Sequence, residues 1–260
     1  MRMGSGLYCS FAHESLGLAI AGCLRCRQAL ATHNDFCHTC HAELQTIAPA
    51  VMEIPHDHDL FTAGKTTWGR GRPCPAVKHI YKIVSERFVF ERYDAYRASV
   101  ESRGQFTKQG KLPGNERDGW HGTRRECQLG NEGKTRFCTS ITCSLCGIIK
   151  TSFDLARGFN GTGFGLGWEI LGKALYTSSS SSKSDNYSYN TNWNTPLKAM
   201  LLNKVIAGKC YVAEKAEETL TGPPVGYDSA RLPQAATVDD LAVYRNDAIR
   251  PSYLIMYDGN

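Results

Sequence analysis

Two stretches, far apart in the chain, carry the groups with the most chemistry to offer. Trp120-His121-Gly122-Thr123 sets an imidazole beside a backbone with no Cβ in the way. Leu175-Tyr176 is followed by Ser182-Lys183-Ser184-Asp185-Asn186-Tyr187, so two phenol rings stand eleven residues apart with a Ser-Lys-Ser turn between them. A flat heterocycle stacks on such a ring. A carboxamide pairs with the N–H and C=O of a Gly. Together these are the groups needed to grip the nicotinamide and one ribose of NAD+.

Cleaving a nicotinamide–ribose bond builds oxocarbenium character at the anomeric carbon, as in glycoside cleavage. The protein must hold nicotinamide flat, anchor its amide and steady the growing charge with a carboxylate near the ribose hydroxyls. Taken singly, His121, Tyr176 and Tyr187 read equally well as packed core side chains. It is their combination that argues for a site.

The second chemistry belongs to sulfur. The chain has 11 cysteines. Cys23-x2-Cys26 and Cys37-x2-Cys40 are separated by ten residues, a spacing that presents four thiolates to one tetrahedral ion. A module this small lacks a core, so a structural Zn2+ would supply its folding energy. His33, His38 and His41 are alternative ligands. Cys127, Cys138, Cys143 and Cys146 form a second candidate Zn2+ set, in which Cys127 or Cys138 could instead be plain buried residues. His56-Asp57-His58-Asp59 offers metal donors too, but with no distant partner it reads as an exposed polar linker.

Elements must position these groups. Residues 1–22 lack periodicity and are expected to be loosely ordered. A four-cysteine zinc finger over 23–41 and a helix and linker over 42–73, the helix spanning His41 to Met52, lead to a larger domain over 74–260. Val77 to Val84 alternates like a half-buried strand, and Phe88 to Val100 has helical spacing. Residues 104–117 read as a loop, and Ser178 to Ser182 as a turn. Leu241 to Tyr244 and Tyr253 to Tyr257 read as two strands around a turn containing Pro251.

A net charge of +5 is too mild to mark a dedicated nucleic-acid binder, and the run Trp68 to Arg72 reads as a solvated linker. No apolar run approaches the ~18–20 residues of a membrane span, so no membrane partner is expected. Without a secretion signal, the cysteines read as thiols and metal ligands in an intracellular protein of nucleus or cytoplasm.

The segment from about Cys74 to Asp258 resembles the catalytic domain of poly(ADP-ribose) polymerases, the diphtheria-toxin-type ADP-ribosyltransferases. The resemblance runs in the family's order. It begins with Ile80 to Ile83 and Glu91-Arg92-Tyr93, then reaches Asn115-Glu116-Arg117 and the Trp120 to Thr123 stretch. It continues through Phe164-Gly165-Leu166-Gly167, Leu175-Tyr176-Thr177 and Ser182 to Tyr187. Pro223 to Ser229, Val243-Tyr244 and Pro251 to Ile255 complete it. With the N-terminal cysteines, the chain is similar to zinc-finger-bearing fungal members.

The resemblance implies an α+β fold, two crossing antiparallel sheets around an NAD+ cleft, with NAD+ as cosubstrate. It implies that His121 bonds the adenosine ribose and Gly122 and Ser184 hold the nicotinamide amide. Tyr187 would stack on the ring, Tyr176 would order the ribose, and Thr123 and Lys183 would line the cleft. Where the family carries a catalytic Glu, alignment on Val243-Tyr244 places Asp240, beside Asp239. A carboxylate drawn back by about 1 Å can cost on the order of 100-fold in rate. The expected activity is therefore transfer of single ADP-ribose units to an unidentified protein or nucleic-acid acceptor. The alternatives are a catalytically weak NAD+- or ADP-ribose-binding module, an NAD+ glycohydrolase, or a plain solvated turn at Asp239 and Asp240. Trp168 to Ala174 also lengthens the family's usual approach to Tyr176.

Overall fold

The computed structural model describes residues 22–32, 35–58, 60–62, 68, 75–158, 170–192, 195–235 and 238–259. His33, Cys74, the Phe164 to Gly167 match, the side chain of Asp239 and nearly all of the N-terminal 22 residues lie outside them. The strands are β1 (Ala50–Glu53), β2 (Val77–Val84), β3 (Glu116–Gly122), β4 (Arg124–Arg125), β5 (Leu175–Ser178), β6 (Tyr189–Asn190), β7 (Leu197–Ile206), β8 (Cys210–Val212), β9 (Ser229–Ala235), β10 (Val238–Val243) and β11 (Ile249–Asp258). The helices are α1 (His38–Gln45), α2 (Arg87–Gly104), α3 (Ser144–Thr151), α4 (Leu155–Gly158) and α5 (Ser181–Asp185). Few helices beside one large sheet make the fold α+β.

Nine strands run in the order β1-β2-β11-β7-β3-β5-β10-β9-β8, and β4 pairs with β6 apart from them. All neighbours in the large sheet are antiparallel except β8 and β9. One residue pair, Trp120 with Ser178, joins β3 to β5. The sheet is thus a five-stranded half and a four-stranded half meeting at a single point.

Each face of the five-stranded half is covered by one cysteine segment. Leu24, Phe36, Leu44, Leu60, Phe61 and Trp68 pack on Ile80, Val84, Leu202, Tyr253 and Ile255. On the other face Leu145, Ile149 and Phe153 pack on Tyr81, Ile83, Leu201, Leu254 and Met256. For this reason β2 is buried from Ile80 onward on both sides, not half-buried as its alternation suggests. Lys82 falls on the first face and is buried with its neighbours. Its Nζ donates to Asp35 Oδ2 at 2.6 Å, Tyr253 Oη donates to the same oxygen at 2.6 Å, and Ser252 Oγ accepts from Lys82 at 3.2 Å. The partners are unequal. Burial pushes Lys82 down in pKa and Asp35 opposes it. Asp35, despite its burial, is brought down to about 2 by the Lys82 charge and the two donors. With that anion in contact, Lys82 stays a cation.

Several boundaries differ from the sequence reading, each for a tertiary reason. The helix begins earlier, at His38, and ends at Gln45; the residues after it form β1, which pairs with β2 from Ala50↔Val84 to Glu53↔Tyr81. Trp68, read as part of a solvated linker, is buried against Trp120 and Tyr257, with ring centroids 5.4 and 4.5 Å away. The 104–117 loop contains two short 3-10 turns, at Phe106–Gln109 and Pro113–Asn115. Pro251 lies inside β11, where the register shifts against β7; the irregularity accommodates a residue with no N–H to donate. The turn between β10 and β11 is Asn246–Ala248, and the two strands have different partners.

Asp35→Asn keeps the side chain's shape but leaves the Lys82 charge uncompensated. It is expected to lower unfolding stability by about 3–5 kcal/mol, measured by chemical denaturation, with much of the loss recovered by adding Lys82→Met. A single-variant cost below about 1 kcal/mol would show that the pair does not hold the first cysteine segment to the sheet.

Candidate active site and cysteine centres

The candidate site residues gather where β3 and β5 part. Trp120 pairs with Ser178, so a continued ladder would next pair Gly122 with Tyr176. It does not continue. The Tyr176 carbonyl instead accepts from His121 Nδ1 at 2.9 Å. A carbonyl can only accept, so Nδ1 carries the proton. Burial holds the imidazole pKa below its ordinary 6.5, against the raising effect of that bond. The ring is therefore neutral near pH 7, with Nε2 as a bare acceptor. Phe153 meets it edge-on at 5.1 Å between centroids.

Helix α5 sits in the opening. Ser180 caps it, accepting from the Lys183 N–H, so the run of serines read as a turn is a helix start. Ser184 Oγ donates to the Trp120 carbonyl at 3.1 Å. Gly122 passes so close that an added Cβ would lie 2.0 Å from the Ser184 carbonyl oxygen. With the ladder ended, the Gly122 N–H and C=O no longer have Tyr176 as their reciprocal pair. They point, by strand alternation, to the same side as the Trp120 carbonyl. Thr123 follows, half-buried, its carbonyl 3.4 Å from the Tyr189 N–H.

Asp240 is on β10 opposite Ser178, and is buried. Its carboxylate forms a close ion pair with Lys183 Nζ. Tyr187 feels it: burial first, then the Asp240 charge, raises the Tyr187 pKa. Tyr176 is pinned at its far end, donating to the Gly172 carbonyl at 2.6 Å and accepting from the Leu171 N–H at 3.0 Å. His121, Gly122, Ser184 and the Tyr176 backbone thus meet at the opening, and Lys183, Asp240 and Tyr187 lie near one another. Sequence reasoning missed Phe153 and the Lys183–Asp240 pair. Spacing holds no signal for a contact between positions 57 apart.

Both cysteine sets assemble. Within each, the four Sγ atoms lie within 4.8 Å of one another. Among the described residues, neither His38 nor His41 belongs to a cluster. An ion with Zn–S bonds of ~2.3 Å requires a tetrahedron edge of ~3.8 Å. Observed separations are 3.9 Å for Cys26–Cys37, 4.0 Å for Cys127–Cys143 and 3.5 Å for Cys127–Cys146. Burial opposes ionisation of Cys23, but backbone N–H groups of Cys26, Cys37 and Arg25 outweigh it and bring the thiol down to about 6. Hydrogen bonds from Cys127 and Cys146 likewise hold Cys143 as a thiolate. Both donor sets fit a closed tetrahedral ion. Beside the second, Arg125 is fully buried and gives its donors to the Leu129 and Leu197 carbonyls, Asn131 and Asn190. Burial draws its pKa down to about 10, and the neighbouring sulfurs of Cys127, Cys143 and Cys146 oppose the fall.

The poly(ADP-ribose) polymerase catalytic domain family matches residues 77–248, more than half of the chain and every strand and helix that builds the opening. The chain belongs to this family. Its general activity is accordingly ADP-ribosyl transfer, with NAD+ as substrate. A comparison with curated proteins finds no match. Among the described residues no helix is long and apolar enough to cross a membrane.

A folded-state pKa below the free value means the unfolded chain takes up the proton first, so this group's contribution to stability is lost as pH falls below 6.5. An NMR titration of the His121 ring, assigned by its absence in His121→Ala, should give a midpoint below 6.5. A midpoint at or above that value would contradict the neutral, Nδ1-protonated ring.

Proposed function

We propose that this chain is a mono-ADP-ribosyltransferase with two structural zinc ions. What supports the reading most is the parting of β3 and β5 around α5, which releases the Gly122 backbone beside a neutral His121 and the Ser184 hydroxyl. Gly122 N–H donates to the nicotinamide carboxamide oxygen, and Gly122 C=O accepts from its nitrogen. Ser184 Oγ, already donating to Trp120, offers its lone pairs to the amide. Tyr187 supplies the stacking face. His121 Nε2 accepts from the adenosine ribose hydroxyl, while the anchored Tyr176 orders the nicotinamide ribose.

As the glycosidic bond breaks, its electron pair leaves with nicotinamide and positive charge grows on the ribose. Asp240 steadies that charge and accepts from a ribose hydroxyl. An acceptor nucleophile, on protein or nucleic acid, then bonds to the anomeric carbon and gives up its proton. Asp240 is one methylene shorter than the family's Glu and already holds Lys183. Both features weaken activation of an incoming ribose hydroxyl, so single transfer is favoured over chain growth. The same ion pair favours a second reading, in which NAD+ binds and turnover is very slow.

With NAD+ labelled on the adenine side, nicotinamide release should accompany covalent label transfer in single units, and both should vanish in His121→Ala. Free labelled ADP-ribose alone would indicate hydrolysis, and no release above the control would leave a binding module. Asp240→Glu should raise the release rate by roughly 10–100-fold; a fall would show that the shorter arm is matched to this cleft. After dialysis to remove loosely held ions, metal analysis should find two Zn2+ per chain, one of them lost in Cys143→Ser. Retention of both would remove the second set as a zinc site.

A further inference from the structure

Away from the NAD+ opening, Glu53, His56 and His79 bring one ligand atom each to within 4.8 Å of the other two. We propose that these three side chains form a third metal site, of nitrogen and oxygen donors, for a divalent ion of the zinc and nickel class. Glu53 ends β1 opposite Tyr81, and His79 stands two residues from Tyr81 on β2, on the same face. His56 follows in the turn after β1. The donors therefore come from two paired strands and one turn, not from a single flexible segment.

Each imidazole is held without the ion. His79 Nδ1 lies 2.7 Å from Glu53 Oε1. The His56 ring stacks on Phe61, centroids 4.1 Å apart and planes at 20°, and Phe61 is buried. The two imidazoles meet edge to face at 6.3 Å. An ion with bonds of ~2.0–2.2 Å to imidazole and carboxylate takes neighbouring tetrahedral donors ~3.3–3.6 Å apart, so the His79–Glu53 pair, 2.7 Å apart without the ion, needs to open by less than about 1 Å to admit it. The ion replaces the proton that joins those two groups. Glu53 and His56 are exposed, so water completes the coordination shell. This is an open site, unlike the closed thiolate centres, and imidazole with carboxylate selects transition ions over calcium or magnesium.

The neighbouring donors are excluded by geometry. The Asp57 carboxylate is taken by both terminal nitrogens of Arg27, at 3.0 Å each. His58 Nδ1 accepts from the Leu60 N–H at 3.1 Å. The His-Asp-His run is therefore not itself the chelate; only its first residue contributes. Because Asp57 and its turn also hold Arg27 of the first cysteine segment, a bound ion would tie that segment, β1 and β2 together.

The test uses the full chain, loaded with zinc and dialysed until only the tightly held ions remain. Calorimetric titration with further Zn2+ should show one additional equivalent and a rise in Tm. Binding should disappear in His79→Ala and in His56→Ala, weaken at least roughly tenfold in Glu53→Gln, and persist in Asp57→Asn. Glu53→Gln keeps both imidazoles and the strand, so it reads the site even where a histidine variant misfolds. Absence of an additional equivalent would overturn the proposal. So would an equivalent that survives His79→Ala and Glu53→Gln, or one lost in Asp57→Asn with Glu53→Gln unaffected.

Discussion

The opening depends on a ladder that stops. β3 and β5 share one pair, Trp120 and Ser178, and then diverge. An unpaired strand carbonyl in the interior costs about 1–3 kcal/mol, so the divergence persists only if another donor takes each freed group. His121 does this for Tyr176 through Nδ1, which fixes the tautomer, while burial keeps the ring neutral against the raising effect of that bond. Ser184 adds its hydroxyl to the Trp120 carbonyl. Gly122 permits the approach of α5, since any side chain would collide with Ser184. In the proposed transferase, the backbone groups left facing the opening are the ones the carboxamide uses. Structural satisfaction and ligand capture are two halves of the same hydrogen-bond accounting.

The cysteine segments hold this arrangement from both faces. Neither has the residues to form a core alone, and each covers one face of the five-stranded half. The first reaches the sheet through Asp35, whose anion makes a buried Lys82 tolerable. The second reaches the site more directly. Cys143 and Cys146 start α3, the chain turns at Ser152 with a left-handed φ of 66°, and Phe153 then presses on the His121 ring. Whatever orders the four thiols also orders the wall against which the imidazole rests.

The groups proposed for the site stand out in the sequence because they are concentrated in two short runs. Trp120 to Gly122 is the end of β3, and Tyr176 to Tyr187 runs from β5 through α5 to just past its end. Strand β2 and helix α2 were legible for a similar reason, since periodicity lies within the element. What escaped depends on distant partners. Ala50 to Glu53 is too short to announce a strand, and becomes one only because β2 presents an edge. Trp68 sits among polar residues, and its burial follows from Trp120 and Tyr257 arriving from far along the chain. Pro251 argued for a turn because a proline normally breaks a central strand; the bulge opposite β7 is invisible from one strand alone.

In the proposed transferase, the Asp240–Lys183 pair is where fold and reaction constrain each other. Asp240 is buried, and a buried carboxylate without a partner would be costly enough to favour its neutral form. Lys183 supplies the opposite charge in contact with it. In that reading the same cation would compete for the carboxylate oxygens and repel the charge that develops on the sugar. In the proposed transferase, Asp240 contributes only what it can share while Lys183 stays in contact. A longer Glu could hold Lys183 with one oxygen and reach the ribose with the other, whereas the Asp arm makes the two demands compete. On that reasoning, the residue that sets rate and chain length in this cleft is not Asp240 alone but the geometry of the pair, fixed by the pairing of β10 with β5 and by the short helix that carries Lys183.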